Sequence, residues 1–133
     1  MGFLQAYAAL WKNAFNFRGR ATCGEYWYPQ IVLAVPAFYV FLLGDVPVSQ
    51  LSHLMLAFLW ASAAYFLIAL IPSISLTIRR LHDTGRSGLY VLLPLIPYIG
   101  SLILLYFLCG SSDLDDNKYG SCPIESDEYE EAV

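Results

Sequence analysis

Residues 51–78 read LSHLMLAFLWASAAYFLIALIPSISLTI, a long apolar run without Asp, Glu, Lys or Arg. A helix needs about 20 such residues to cross a bilayer, because the hydrocarbon core is about 30 Å thick and each residue rises about 1.5 Å. This run is longer than one crossing requires. We therefore expect a transmembrane helix that tilts or extends beyond the hydrocarbon.

Two further apolar runs flank it, at residues 26–43 and 89–108. Only a helix satisfies the backbone of such a run inside lipid, so the sequence predicts three transmembrane helices. The third run contains Pro94 and Pro97, which withdraw two backbone donors, so it either crosses once with a kink or turns back as a re-entrant hairpin. We expect one kinked crossing, because the run has the length of a single passage.

Composition agrees with a membrane protein. Hydrophobic residues make up 58% of the chain and charged residues 14%, with a mean hydropathy of +0.55. A soluble domain averages roughly 45–50% apolar and 25% charged residues. Three cysteines are too few, and odd in number, for a disulfide scaffold. The predicted class is an all-α integral membrane protein, with residues 1–123 as a single membrane domain.

The N-terminal residues 3–15 show a different pattern. Their apolar side chains recur at the spacing of one helical face, and Lys12 lies off that face. This amphipathic helix either lies in the membrane interface or docks its apolar face on the transmembrane bundle. We expect the interfacial position for the helix. The stripe consists of Phe3, Tyr7, Leu10, Trp11 and Ala14.

Charge is unevenly distributed. The net charge is −4, and eight of the 11 acidic residues lie at or after Asp113. Residues 124–133 should form a solvated, disordered acidic tail. The remaining cations occupy two short stretches, which suits a bilayer surface and not a nucleic-acid interface. We therefore expect membrane lipids as partners and no nucleic acid.

Orientation follows from the Lys and Arg residues near each span. Three precede the first span, residues 44–50 contain none, three lie in residues 79–88, and one follows the third span. This distribution predicts a cytoplasmic N-terminus, a cytoplasmic loop at residues 79–88 and a periplasmic C-terminus. On that topology Cys23 and Cys122 face opposite sides, and no disulfide can join them.

The loop at residues 79–88, RRLHDTGRSG, concentrates polar chemistry between two spans. Its arginines could cradle a phosphate, because guanidinium groups match phosphate oxygens in bidentate geometry. Alternatively, the arginines only set the topology while Asp83 or Glu25 pairs with one of them. The candidate binding residues, for an anionic headgroup or a protein partner, are Arg18, Arg20, Arg79, Arg80, His82, Asp83 and Arg86.

Several residues have turn chemistry. Gly85 can adopt a positive φ, Ser87 can cap the third helix, and residues 117–120 should form a turn that closes over the end of that helix. The expected structural turn residues are Gly85, Ser87, Gly88, Asn117, Tyr119 and Gly120.

No catalytic, metal or cofactor site is predicted. His82 adjoins Asp83, but no motif links them to a nucleophile. Asp113, Asp115 and Asn117 alternate as in a calcium loop, yet Lys118 and Ile124 occupy the positions that require glycine and glutamate.

Four short stretches carry a family resemblance: Phe17-Arg18-Gly19-Arg20-Ala21, Glu25-Tyr26-Trp27, the loop at residues 79–88, and Asn117-Lys118-Tyr119-Gly120. With them, residues 12–123 resemble the domain-of-unknown-function 805 family of small bacterial inner-membrane proteins. The resemblance implies an integral protein of the bacterial cytoplasmic membrane and no established activity. Members often carry basic residues where this chain has Thr22, Cys23 and Gly24.

These features favour a non-catalytic interaction or scaffold protein whose cytoplasmic loop engages a partner protein or anionic lipid headgroups. Alternatives are a subunit of an oligomeric transporter or channel and, less favoured, a lipid-phosphate enzyme using His82, Asp83 and the arginines. A strip of small residues in the second span could pack within the chain or form a homo-oligomer seam. It comprises Ala57, Ala61, Ser62 and Ala64.

Overall fold

The computed structural model describes residues 2–123, and the acidic tail predicted for residues 124–133 lies outside them. The regular elements of the described chain are helices, which confirms the all-α prediction. A short 3-10 turn at Val48–Gln50 joins the second and third α-helices, and a longer 3-10 helix occupies Gly88–Leu95. The α-helices are α1 (Phe3–Lys12), α2 (Cys23–Leu43), α3 (His53–Asp83) and α4 (Ile99–Leu108).

Helices α2 and α3 form an antiparallel pair, and both are long and apolar enough to cross a membrane. With 21 and 31 residues, they are about 31 and 46 Å long at about 1.5 Å per residue. Glu25, near the start of α2, meets Arg79, near the end of α3. At the opposite end the Tyr39 hydroxyl donates to the Met55 carbonyl, 3.1 Å away. These are called the arginine end and the far end below.

The two long helices present apolar side chains outward along their length. Phe41 is 78% exposed, and Trp60 and Leu67 are each 74% exposed. Soluble monomers rarely expose contiguous apolar surface on this scale. In a bilayer this surface contacts acyl chains, so the packing agrees with the membrane class predicted from composition.

The third apolar run does not form one crossing, and that prediction is wrong. The 3-10 helix Gly88–Leu95 leads away from the arginine end, residues 96–98 turn, and α4 returns. The ring centroids of Tyr90 and Phe107 lie 5.3 Å apart, at the base of the two arms. Each arm is about 15 Å long, since 3-10 and α-helices rise about 2.0 and 1.5 Å per residue. The run is thus a helical hairpin, Gly88–Leu108, with both ends at the arginine end.

The prolines and a glycine explain the reversal. Pro94 and Pro97 lack N–H donors and lie close together, which disfavours a regular helix across this stretch. Tyr98 has φ 61° and ψ −64°, and the Ile99 N–H donates to the Pro97 carbonyl at 2.7 Å, which together make a γ-turn. Gly100 then lies directly against the Leu93 carbonyl, where a Cβ would be only 1.8 Å from the oxygen.

Helix α1 docks on the long pair. Ala6 and Leu10 are fully buried, the Trp11 ring lies 6.3 Å from that of Tyr65 in α3, and the Phe3 ring lies 6.0 Å from that of Tyr28 in α2. The apolar stripe of α1 therefore packs on the bundle, which was one of the two predicted alternatives. Its level in the membrane stays a prediction.

Replacing Gly100 should open the hairpin. In Gly100→Ala the new methyl group overlaps the Leu93 carbonyl, and overpacking of this kind costs about 1–3 kcal/mol or more. We expect a lower midpoint of thermal unfolding in detergent micelles. Ser101→Ala, at an exposed neighbouring position of α4, is the control and should leave the midpoint nearly unchanged; equal midpoints for both variants would contradict the tight contact.

Candidate functional site

Asp83, at the end of α3, is shared by two arginines. Its Oδ1 accepts from Arg20 Nε at 3.0 Å, and its Oδ2 accepts from Arg80 Nη1. All three side chains are essentially inaccessible to solvent. Because a buried charge is tolerated only when paired, the carboxylate ties the loop before α2 to the end of α3.

Arg80 also binds the end of α4. Its Nε donates to the Leu108 carbonyl at 3.2 Å, its Nη2 donates to the Gly110 carbonyl, and its Nη1 contacts Ser112 Oγ at 3.2 Å. The last carbonyls of a helix have no partner within the helix and carry its negative dipole end. A cation that donates to them therefore caps α4 and fixes the base of the hairpin.

Arg20 holds the segment that follows. Its Nη1 donates to the Asp115 carbonyl at 2.9 Å and its Nη2 to the Asp113 carbonyl. Residues 109–123 therefore lie at the arginine end beside the segment that leads into α2. The prediction that Cys23 and Cys122 face opposite sides is consequently wrong, because it assumed a complete third crossing.

Arg79 makes a separate pair. Its Nη1 donates to Glu25 Oε1 at 2.7 Å, and the residue is only 4% exposed. Its carbonyl accepts from the Ala21 N–H at 3.1 Å, so the backbone of the same residue also anchors the loop before α2. Its Nε and Nη2 have no hydrogen-bond partner among residues 2–123. Together Arg20, Glu25, Arg79, Arg80 and Asp83 are called the arginine network.

His82 borders the network and is half-buried. Its ring stacks on Tyr119 with centroids 3.9 Å apart, and its Nδ1 lies 3.2 Å from the Gly19 carbonyl, which requires the Nδ1–H tautomer. Burial lowers the pKa of His82, the charge of Lys118 acts in the same direction, and the Gly19 carbonyl opposes both. The lowered pKa favours the neutral imidazole, which serves as a packing and hydrogen-bonding group.

The predicted turn residues lie around this network. Gly85 has φ +70°, and Gly88 packs against Ile78. Ser87 accepts from the Leu89 N–H at 3.3 Å and caps the 3-10 helix of the hairpin. Asn117 and Gly120 exchange backbone hydrogen bonds of 3.0 and 3.1 Å.

That last turn closes over a different helix from the one expected. Asn117 Nδ2 donates to the His82 carbonyl at 3.0 Å, so the turn covers the end of α3 and not the end of the third span as predicted. The hairpin is the reason, because it returns the chain to the end of α3.

The remaining candidate residues have separate environments. The Arg86 guanidinium lies 4.2 Å from the centre of the Phe107 ring, at the base of the hairpin, and Arg18 is exposed. The arginines therefore pair with acidic residues, which was one of the two predicted interpretations. Both Asp83 and Glu25 take part in this pairing. The open cradle of Arg79, Arg80 and Arg86 is not formed.

Sequence reasoning missed the backbone acceptors and two hydroxyls. Ser112 donates to Asp83 Oδ2, and the buried Ser75 hydroxyl lies within hydrogen-bonding distance of the Asn13 and Asn16 carbonyls, at 2.9 and 2.6 Å. A serine in an apolar helix indicates that its hydroxyl needs a hydrogen-bond acceptor, but it does not indicate which one. The backbone carbonyls that Arg20 and Arg80 bind cannot be predicted from the pattern of side chains, because every residue has a carbonyl.

Two outward-facing apolar helices, closed at one end by buried arginine–carboxylate pairs, define a multi-pass helical membrane protein. The family described as "Protein of unknown function (DUF805)" matches residues 14–121, and the chain belongs to this family, as the resemblance indicated. The matched range contains every residue of the arginine network.

Two curated relatives are similar over nearly their full length. Inner membrane protein YhaI of Escherichia coli (strain K12) is 36% identical over 120 residues, covering 90% of this chain and 96% of the relative. Inner membrane protein YhaH of the same strain is 35% identical over 125 residues, covering 88% and 94%. No solved structure matches the chain.

Asp83 should be the most sensitive position of the network. Asp83→Asn leaves two buried guanidinium groups without their carboxylate, and breaking a buried pair costs about 3–5 kcal/mol. We expect that loss in the free energy of unfolding measured in detergent micelles. Asp45→Asn, exposed near the far end, should change it by less than about 0.5 kcal/mol; similar losses for both would show that the network is not needed for folding.

Proposed function

We propose that the chain is a non-catalytic protein of the bacterial inner membrane, with two spans, that binds anionic lipid headgroups at its arginine end. The names of YhaI and YhaH support the location. The hairpin Gly88–Leu108 would enter the same leaflet without crossing.

The proposal rests on the observation that some cations are buried and others are exposed. Arg20, Arg79 and Arg80 are buried in the network, whereas Lys12, Arg18 and Lys118 are exposed. We call the second set the exposed rim. Juxtamembrane cations attract an anionic leaflet by about 1 kcal/mol each, so the rim can bind headgroups without disturbing the fold.

Exposed aromatic side chains accompany the rim. Phe15 is 78% exposed and Phe17 is 41% exposed, in the segment between Lys12 and Arg18. Aromatic rings beside cations are typical of segments at the level of the headgroups. The combination favours a lipid surface over a soluble acidic partner.

Charge also supports a cytoplasmic arginine end. All seven Lys and Arg residues lie in segments at that end, and residues 21–78, which include the far end, contain none. By the positive-inside rule both the N-terminus and residues 109–123 are then cytoplasmic. This replaces the periplasmic C-terminus expected from three crossings.

The contacts of His82 and Asp83 favour a non-catalytic role. His82 is stacked on Tyr119 and bonded to Gly19, and both carboxylate oxygens of Asp83 are engaged by arginines. A general base needs reach to a nucleophile and to substrate, and these side chains are committed to the fold.

The topology can be tested with single cysteines in a cysteine-less background. An impermeant maleimide added to intact spheroplasts should label Ser49→Cys, in the far-end turn, because that turn faces the periplasm. Asn16→Cys and Ser121→Cys should react only after lysis. Labelling of Ser121→Cys in intact spheroplasts would restore a third crossing and refute this topology.

Lipid binding can be tested on the exposed rim. The triple variant Lys12→Gln/Arg18→Gln/Lys118→Gln should retain several-fold less phosphatidylglycerol than the unaltered chain in native mass spectrometry, because three cations leave the surface. The matched control is Ser49→Ala/Gln50→Ala at the far end, which should retain as much as the unaltered chain. Equal retention by both variants, or loss of a co-purifying protein in place of lipid, would overturn the lipid assignment.

A further inference from the structure

The Arg79 guanidinium keeps one edge unused. Nη1 is bonded to Glu25, while Nε and Nη2 have neither a hydrogen-bond partner within residues 2–123 nor solvent contact. Both nitrogens are bonded to Cζ, and each directs an N–H bond outward from the same edge of the guanidinium group. That edge matches two oxygens of a single carboxylate or phosphate group.

The neighbouring arginines show that this is a local exception. Every guanidinium nitrogen of Arg20 and of Arg80 has an oxygen partner. An unmet buried donor costs about 1–3 kcal/mol, and more on a charged group. Arg79 is therefore the member of the network at which an additional oxyanion would satisfy an existing need.

Charge indicates the same class of ligand. The five buried ionisable side chains of the network are three arginines and two carboxylates, which leaves one positive charge in excess. The nearby Asp113 carboxylate is only half-buried and accepts from Asn117 Nδ2 at 3.2 Å. A bound monoanion would compensate the excess charge.

We propose that the Nε/Nη2 edge of Arg79 binds a phosphate oxyanion at the level of the cytoplasmic headgroups. This inference rests on the proposed lipid function and names the residue that recognises the phosphate. Arg79 lies directly after the apolar run of α3 and opposite the first turn of α2, where the spans leave the hydrocarbon. Glu25 accepts only from Nη1, so an oxyanion that reaches Nε and Nη2 does not have to displace the Glu25 carboxylate.

The test compares Arg79→Lys with Arg18→Lys in detergent micelles. Both substitutions keep the positive charge and remove the bidentate edge, but Arg18 is exposed. Thermal unfolding is measured while phosphatidylglycerol, phosphatidylcholine or inorganic phosphate is added. We expect a tenfold or greater loss of apparent affinity for phosphatidylglycerol in Arg79→Lys and less than a twofold change in Arg18→Lys.

The additives separate the possible sources of the oxyanion. Stabilisation of the unaltered chain by inorganic phosphate, equal to that by phosphatidylglycerol and lost in Arg79→Lys, would assign the edge to free phosphate. Stabilisation by phosphatidylglycerol alone would assign it to the lipid. Unchanged affinities in Arg79→Lys would overturn the site.

A second variant guards against loss of the fold. Glu25→Gln/Arg79→Gln removes both charges of the pair together, so no unpaired ion is left buried. If the edge holds only an internal water, this double variant keeps the affinity for phosphatidylglycerol, and the inference fails. If the rim triple variant loses lipid while both Arg79 variants keep it, only this inference fails. If the unaltered chain does not distinguish phosphatidylglycerol from phosphatidylcholine, the proposed function fails as well.

Discussion

The sharing of the Asp83 carboxylate by Arg20 and Arg80 is the constraint on which the arrangement of the chain depends. Between helices surrounded by lipid there is little hydrophobic driving force, because acyl chains are as apolar as the side chains they replace. The outward-facing residues of α2 and α3 therefore do not determine how the remaining segments pack. A buried ion pair adds little net stability, but separating its partners is costly, so it specifies one arrangement.

The chemistry of arginine explains how irregular backbone is held at this position. Residues 109–116 lie outside the helices and need donors for their carbonyls. A guanidinium has five N–H groups in fixed directions, whereas an ammonium has three on a flexible stem. Two arginines can thus neutralise one carboxylate and still donate to several carbonyls. Those carbonyls belong to Leu108, Gly110, Asp113 and Asp115.

Parts of the fold were predictable because lipid imposes a simple rule. The runs at residues 26–43 and 51–78 contain no charge, and both became long helices, with α2 beginning earlier at Cys23 behind a Thr22 cap. The hairpin was less predictable, because the length of the third run fits one crossing. The fit of Gly100 against Leu93 is a contact between neighbouring arms that no local pattern records.

The site was predictable by residue type and not by partner. Charge alone indicated that Asp83 or Glu25 would meet an arginine, but the choice of arginine depends on how the start of α2 and the loop before it lie against the end of α3. The expectation that the segments before α2 and after α4 lie at opposite ends failed, because the hairpin Gly88–Leu108 returns the chain. Asn117 was recognised as a turn residue, while its bond to the His82 carbonyl required the returned chain.

The short hairpin also sets the outline of the molecule. Both arms of Gly88–Leu108 lie at the arginine end, and α1 reaches along the pair as far as Tyr65. Among residues 2–123, only α2, α3 and the turn that joins them reach the far end. More of the described chain therefore surrounds the arginine end than the far end. In a bilayer, an outline of this kind would displace more lipid area on the side of the arginine end than on the other side.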